Sequence, residues 1–186
     1  MNFPLFLEVV STLSGVAYVL LVVYQKRSAW LLGILSTGIA MYLFYTSQLY
    51  SETLLYSYYV LAGAYAWVHW GTDMESIAVT DIGFGVAAVY ALLGIVGAGL
   101  LGFFFSKHTQ AHYPFFDALT TVFSFVATWF TARKWLMNWL WWIVIDLASA
   151  VLYALKDLYL LSGLMIVYAI IAVFGYYQWK RQVVTS

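Results

Sequence analysis

Trp139, Trp142 and Asp146 stand at positions i, i+3 and i+7 of one apolar run. On a helix that spacing puts two indoles and a carboxylate on a single face. Indole faces stack on planar rings and attract cations. A carboxylate inside a membrane is costly, so it faces a cavity or a partner and is by default a functional candidate. The opposing reading makes Trp139 an anchor at the membrane interface and Asp146 the structural partner of a Thr or Tyr. Tyr59 and Tyr168 lie near the middle of two other apolar runs, and their hydroxyls need partners when buried. Each heads a stripe, Tyr59-Gly63-Ala66-Trp70 and Tyr168-Ala172-Gly175-Trp179, whose small residues equally suit helix packing.

A further polar stripe joins Asp117, Thr121, Ser124, Thr128 and Thr131, and Glu8, Thr12 and Gly15 repeat its start. One reading is a hydrophilic wall along a pathway. The other is that Glu8 and Asp117 begin helices near Pro4 and Pro114, where an acid complements the helix dipole. Several chemistries are missing. There is no Cys, hence no disulfide, thiolate metal site or thiol catalysis. No phosphate-binding Walker motif is present, so ATP-driven transport is not encoded. His69, His108 and His112 lie at or near loops, and they are not expected to assemble a metal cage. No convergent acid–base set supports an enzyme, and no cofactor is expected.

These residues need helices to position them. The chain has 186 residues, 65% apolar and 9% charged, with a mean hydropathy of +0.87. Too little polar surface exists to cover a soluble fold, and such a chain is too apolar for disorder. One spanning helix takes about 20 apolar residues, so seven leave only short loops. The runs bounded by charges and turn residues are 4–24, 29–46, 52–70, 82–105, 114 to Arg133-Lys134, 135–155 and 159–179. The fourth is Gly-rich, and the acidic stretch 71–81 precedes it. The expectation is an all-α membrane protein with seven transmembrane helices. The start, Met1-Asn2-Phe3-Pro4, has no basic region of the signal-peptide kind, so the first run is read as a retained helix.

Lys26, Arg27, Arg133, Lys134, Lys180 and Arg181 fall on one face of seven crossings, and only Lys107 and Lys156 on the other. The basic face is cytoplasmic by the positive-inside rule, which puts the N-terminus outside and the C-terminus inside. Lys and Arg together number 8, as do Asp and Glu, so no basic field recruits nucleic acid. The surroundings are the lipid bilayer, and homo-oligomerisation stays open.

Sliding the chain by 109 residues aligns it with itself without a gap: Glu8 meets Asp117, Trp30 meets Trp139, Tyr59 meets Tyr168 and Trp70 meets Trp179. Paired aromatic and acidic positions in one register speak against chance. The repeat covers three helices, with one helix between the copies. An odd linker makes both triplets cross in the same sense, a parallel three-one-three repeat. Residues 1–70 form a first bundle, 71–113 an acidic loop and inverting linker helix, and 114–186 a second bundle with a short basic tail. Two bundles joined this way rock around a central site, as transporters need. The repeat mates of Trp142 and Asp146 are Gly33 and Thr37, so the halves differ where an asymmetric ligand would require it.

The residue pattern resembles a family. The motifs are Trp30-x-x-Gly33, Leu49-Tyr50-x-Glu52 and Tyr65-Ala66-Trp67-x-x-Trp70, then Asp117-Ala-Leu-Thr120-Thr121, Trp139-x-x-Trp142-x-x-x-Asp146, Leu158-Tyr159 and Gly175-Tyr176-x-x-Trp179. They are similar to the Pnu-type vitamin transporters, best known for nicotinamide riboside, over about two thirds of the chain. Glu52 replaces the family's usual Asp, and Ala66 its usual Gly. The resemblance implies a SWEET-like fold in the bacterial inner membrane and a B-vitamin substrate: nicotinamide riboside, with thiamine as the alternative and riboflavin further off. It also implies uptake by facilitated diffusion, with the vitamin trapped by a cytoplasmic kinase. Nicotinamide riboside and thiamine carry a fixed positive charge on an aromatic ring, which aromatic faces and a buried carboxylate would suit. The candidate substrate residues are thus Trp142, Asp146, Trp139, Tyr168, Tyr59, Thr37, Thr121, Asp117 and Glu8.

Overall fold

The computed structural model describes residues 3–46, 50–71, 78–109 and 113–183, without the side chains of residues 3–5, 8, 50–52 and 54. Seven helices follow in order: α1 (Phe3–Val23), α2 (Ala29–Thr46), α3 (Tyr50–His69), α4 (Gly83–His108), α5 (Pro114–Ala132), α6 (Met137–Leu155) and α7 (Tyr159–Lys180). No strand forms among the described residues; two isolated backbone bridges do. Five helices, α2 and α4 to α7, are long and apolar enough to cross a membrane, and α1 holds a shorter apolar stretch, Val9–Val23.

The chain divides into two compact units, residues 1–78 and 79–186. In the first, α2 packs on α1 and on α3. In the second, α4 packs on α5, α5 on α6 and α6 on α7. The helix expected to link two triplets therefore rests on α5. It does so through small residues: Ala87, Gly94, Ala98 and Gly102 are buried, while Phe84, Leu92, Leu100 and Phe103 are exposed. A Cβ at Gly94 would sit 3.0 Å from the Phe123 ring, and one at Gly102 would sit 2.5 Å from Phe115. Without a hydrophobic effect in lipid, such close approach is what holds helices together.

The first helix of the first unit and α5 of the second end alike. Gln25 and Lys134 take left-handed backbone, at φ 54 and 53. Gln25 N donates to Val22 O and Lys26 N to Leu21 O; Lys134 N donates to Thr131 O and Trp135 N to Phe130 O. This double closure is the Schellman cap, which satisfies carbonyls that the helix leaves over. It also explains a shifted boundary. The apolar run suggests that α6 starts at 135, but the cap occupies 133–136 and the helix starts at Met137. At the other end of α4, the helix runs on past 105 through Lys107, a cation that suits a helix C-terminus, to His108.

Each unit also closes on a tryptophan pair. Trp30 of α2 meets Trp70, the residue after α3, edge-on, with centroids 5.3 Å apart at 86°. Trp139 of α6 meets Trp179 of α7 at 5.3 Å and 88°. All four rings are at most 2% exposed. Below the second pair, residues 79–80 strap the unit together: Thr80 N donates to Lys134 O, and Leu136 N donates to Thr80 O. Val79 bridges to Val183. Asp81 then accepts a hydrogen bond from Gly83 N and starts α4.

Candidate functional site

The face of α6 that carries Trp139, Trp142 and Asp146 continues through Ser149 and Tyr153, one residue every three or four. Asp146 is 6% exposed and makes no hydrogen bond or ion pair with the described residues. The phenols of Tyr168 on α7 and Tyr153 on α6 lie within electrostatic reach of its carboxylate. Ser149 is buried beside it in the sequence, one turn on. The structure thus joins Asp146 to Tyr168, two of the expected site residues. It adds Ser149 and Tyr153, which the continued helical spacing could have revealed.

Trp142 is half-buried, and its indole is held at one edge. Nε1 donates to Thr131 Oγ1 at 3.0 Å. The Thr131 hydroxyl in turn donates to Ala127 O at 2.9 Å, with Asn138 Oδ1 at 3.3 Å. Asn138 Nδ2 donates to Trp135 O at 2.7 Å. This small network fixes the ring orientation through its edge.

Trp139 has a different setting. It is 1% exposed, packed against Trp179, and its ring fills the space over Gly175, where a Cβ would sit 2.6 Å away. Its indole N–H has no partner among the described residues, as is true of Trp30. The structure therefore places Trp139 in the packing between α6 and α7.

Asp117 lies in the first turn of α5 and is paired: Lys156 Nζ donates to both carboxylate oxygens, at 2.8 and 2.7 Å. Thr121 is half-buried on the same helix, and its stripe mate Thr128 donates to the backbone of its own helix, to Ser124 O. In the first unit, the Thr37 hydroxyl donates to Gly33 O of its own helix at 2.8 Å. Tyr59 sits among rings, 5.6 Å from Tyr56 and 5.8 Å from Tyr58. The side chain of Glu8 lies outside the described residues, as do Asp73, Glu75 and His112.

An all-helical fold with apolar exteriors and a buried carboxylate defines a multi-pass membrane protein. The profile of the family described as nicotinamide mononucleotide transporter matches residues 5–181, and the chain belongs to that family. Among similar proteins, the nicotinamide riboside transporter PnuC of Escherichia coli is 25% identical over 202 residues, covering 93% of this chain and 84% of that one. The PnuC of Neisseria mucosa is 26% identical over 189 residues, covering 94% and 72%. A crystal structure of the vitamin B3 transporter PnuC matches with a TM-score of 0.76 at 24% identity, over 95% of this chain and 81% of that one. That likeness fixes the fold. The protein is a membrane transporter and not an enzyme.

Proposed function

We propose that this protein carries nicotinamide riboside across the bacterial inner membrane by facilitated diffusion. The observation that carries the reading is Asp146, a buried carboxylate without a partner among the described residues, one turn from the half-buried indole of Trp142. Its relatives named as nicotinamide riboside transporters support the substrate. The pyridinium ring of that vitamin is flat and cationic, the shape and charge that an indole face and a carboxylate recognise. Tyr168, Ser149 and Tyr153 offer hydroxyls for the carboxamide and the ribose. The other expected site residues, Thr121, Tyr59 and Thr37, are further candidates for contact with the vitamin. Asp117 belongs to the outer ion pair with Lys156.

The transport cycle follows from a parallel repeat. The triplets α1–α3 and α5–α7, joined by α4 in a SWEET-like three-one-three order, rock about the site and expose it alternately. Support comes from the 109-residue offset, which pairs Gln25 with Lys134, Trp30 with Trp139 and Trp70 with Trp179. The capped turns and the tryptophan pairs at those positions have matching geometry. The Lys and Arg asymmetry puts the N-terminus outside and the C-terminus inside. Net uptake depends on a cytoplasmic kinase that phosphorylates the vitamin after entry.

Thiamine is the second reading, and one observation favours it. The Asn138 amide, at the start of α6, is committed to Trp135 O and the Thr131 hydroxyl, so a carboxamide finds hydroxyls and no free amide there. Binding to detergent-purified protein separates the cases. Nicotinamide riboside should bind more tightly than thiamine, and neutral riboflavin least. Tighter binding of thiamine would reassign the substrate, and no binding of any of the three would end the vitamin reading.

A further inference from the structure

The charge balance around Asp146 goes one step further, and it rests on the reading that this site takes a vitamin nucleoside. Asp146 is more than nine-tenths buried and has no hydrogen-bond or ion-pair partner among the described residues. The cation nearest along α6 toward its C-terminal end, Lys156, is taken by both oxygens of Asp117. Toward the other end, Arg133 and Lys134 precede α6, which begins at Met137, nine positions from Asp146 or roughly 14 Å at the helical rise of about 1.5 Å per residue. Lys107, Lys180 and Arg181 lie at the ends of α4 and α7. Two phenols, Tyr153 and Tyr168, lie within electrostatic reach of Asp146. Phenols supply dipoles and no positive charge. The carboxylate is thus placed to receive a cation that the second unit does not itself provide.

From this arrangement we infer that Asp146 reads the ring charge of the nucleoside, admitting the oxidised pyridinium form and rejecting the reduced dihydropyridine form. The two forms differ by one hydride. They share the carboxamide, the ribose and nearly the same outline, so shape cannot tell them apart. Charge can. Reduction removes the cation that faces the carboxylate and the aromaticity that stacks on Trp142, and it leaves a buried acid uncompensated. The position that the 109-residue offset pairs with Asp146 is Thr37, whose hydroxyl is satisfied by Gly33 O, so the first unit has no carboxylate at the matching position. A site of this kind takes up the vitamin in its oxidised state only.

The test is equilibrium binding of both redox forms to detergent-purified full-length protein, wild type and Asp146→Asn, with melting temperatures on the same preparations. Wild type should prefer the oxidised form by more than about thirtyfold, the scale of losing one partner of a buried charge pair. Asp146→Asn should cut that preference to about threefold or less, the residue of ring stacking, by weakening the oxidised form alone. Wild-type binding of both forms within about threefold would overturn the inference while leaving the transport reading intact. A folded Asp146→Asn that keeps the full preference would overturn it too. If that variant does not fold, the wild-type comparison decides alone. Failure of wild type to bind either form removes the vitamin reading and this inference with it.

Discussion

The first unit sets Trp30 against Trp70, and the second sets Trp139 against Trp179, at the same 5.3 Å and within two degrees of the same angle. One turn along α2 and α6 the likeness stops. Gly33 lies under the Tyr18 ring, which a Cβ there would approach to 2.9 Å. The position that the offset pairs with Gly33 is Trp142, and the one paired with Tyr18 is Ala127. Large and small have changed places: the ring comes from α1 in the first unit and from α6 in the second. A further turn on, Thr37 bonds to its own helix, while Asp146 is buried without a partner among the described residues. Aromatic packing at the helix ends is kept where each unit must stay rigid, and side-chain chemistry diverges where a ligand would be met. An asymmetric molecule needs one acid and one stacking face, and a second copy of that acid would carry the cost of burying a carboxylate with nothing to bind.

The largest effect should come from the shared part. Trp139→Ala and Trp30→Ala each empty a fully buried ring position, which costs about 3–5 kcal/mol in packed cores. Both should lower the melting temperature in detergent by similar amounts. A large loss for one and none for the other would break the equivalence of the two pairs. Next comes the divergent part. Asp146→Thr gives the second unit the residue of the first and should weaken nicotinamide riboside binding more than about thirtyfold, or about 2 kcal/mol. Thr37→Ala, measured by the same titration, should change it less than about threefold. Trp142→Ala should cost about 0.5–2 kcal/mol of affinity, the range of one stacking or cation–π contact. Wild-type affinity in that variant would move the stacking face elsewhere.

A pH-dependent effect concerns the two capped turns. Lys134 is 1% exposed, outside the spanning helices, and burial lowers its pKa from 10.5 to about 8. The unfolded chain therefore holds this proton more tightly than the folded one. Stability should rise as pH climbs from about 8 toward 10.5, because the folded state is then relieved of a buried charge. Lys134→Gln installs the residue that Gln25 places in the same left-handed conformation. It should flatten the alkaline rise in melting temperature, and an unchanged rise would assign it to another group.

Much of this fold was legible because its boundaries are written in charges and prolines. The run 29–46 is α2, Pro114 opens α5, and α7 ends one residue beyond the expected Trp179. The start of α6 was not legible, since the Schellman cap that closes α5 just before it uses Lys134 where glycine would have signalled the turn. At the candidate site, helical spacing grouped Trp139, Trp142 and Asp146 correctly on one face, yet spacing carries no information about the facing helix. Gly175 on α7 receives the Trp139 ring, a contact that spacing along α6 does not reveal. Asp117 shows the same limit. Its partner Lys156 stands 39 residues away at the end of α6, so the sequence offered a dipole or a pathway wall where the structure has an ion pair.

Uptake of labelled nicotinamide riboside into proteoliposomes containing only this protein tests the central claim most directly. With no ATP and no ion gradient, the internal concentration should rise to the external level and stop there. Absence of protein-dependent uptake, or accumulation above the external level that a protonophore collapses, would contradict facilitated diffusion.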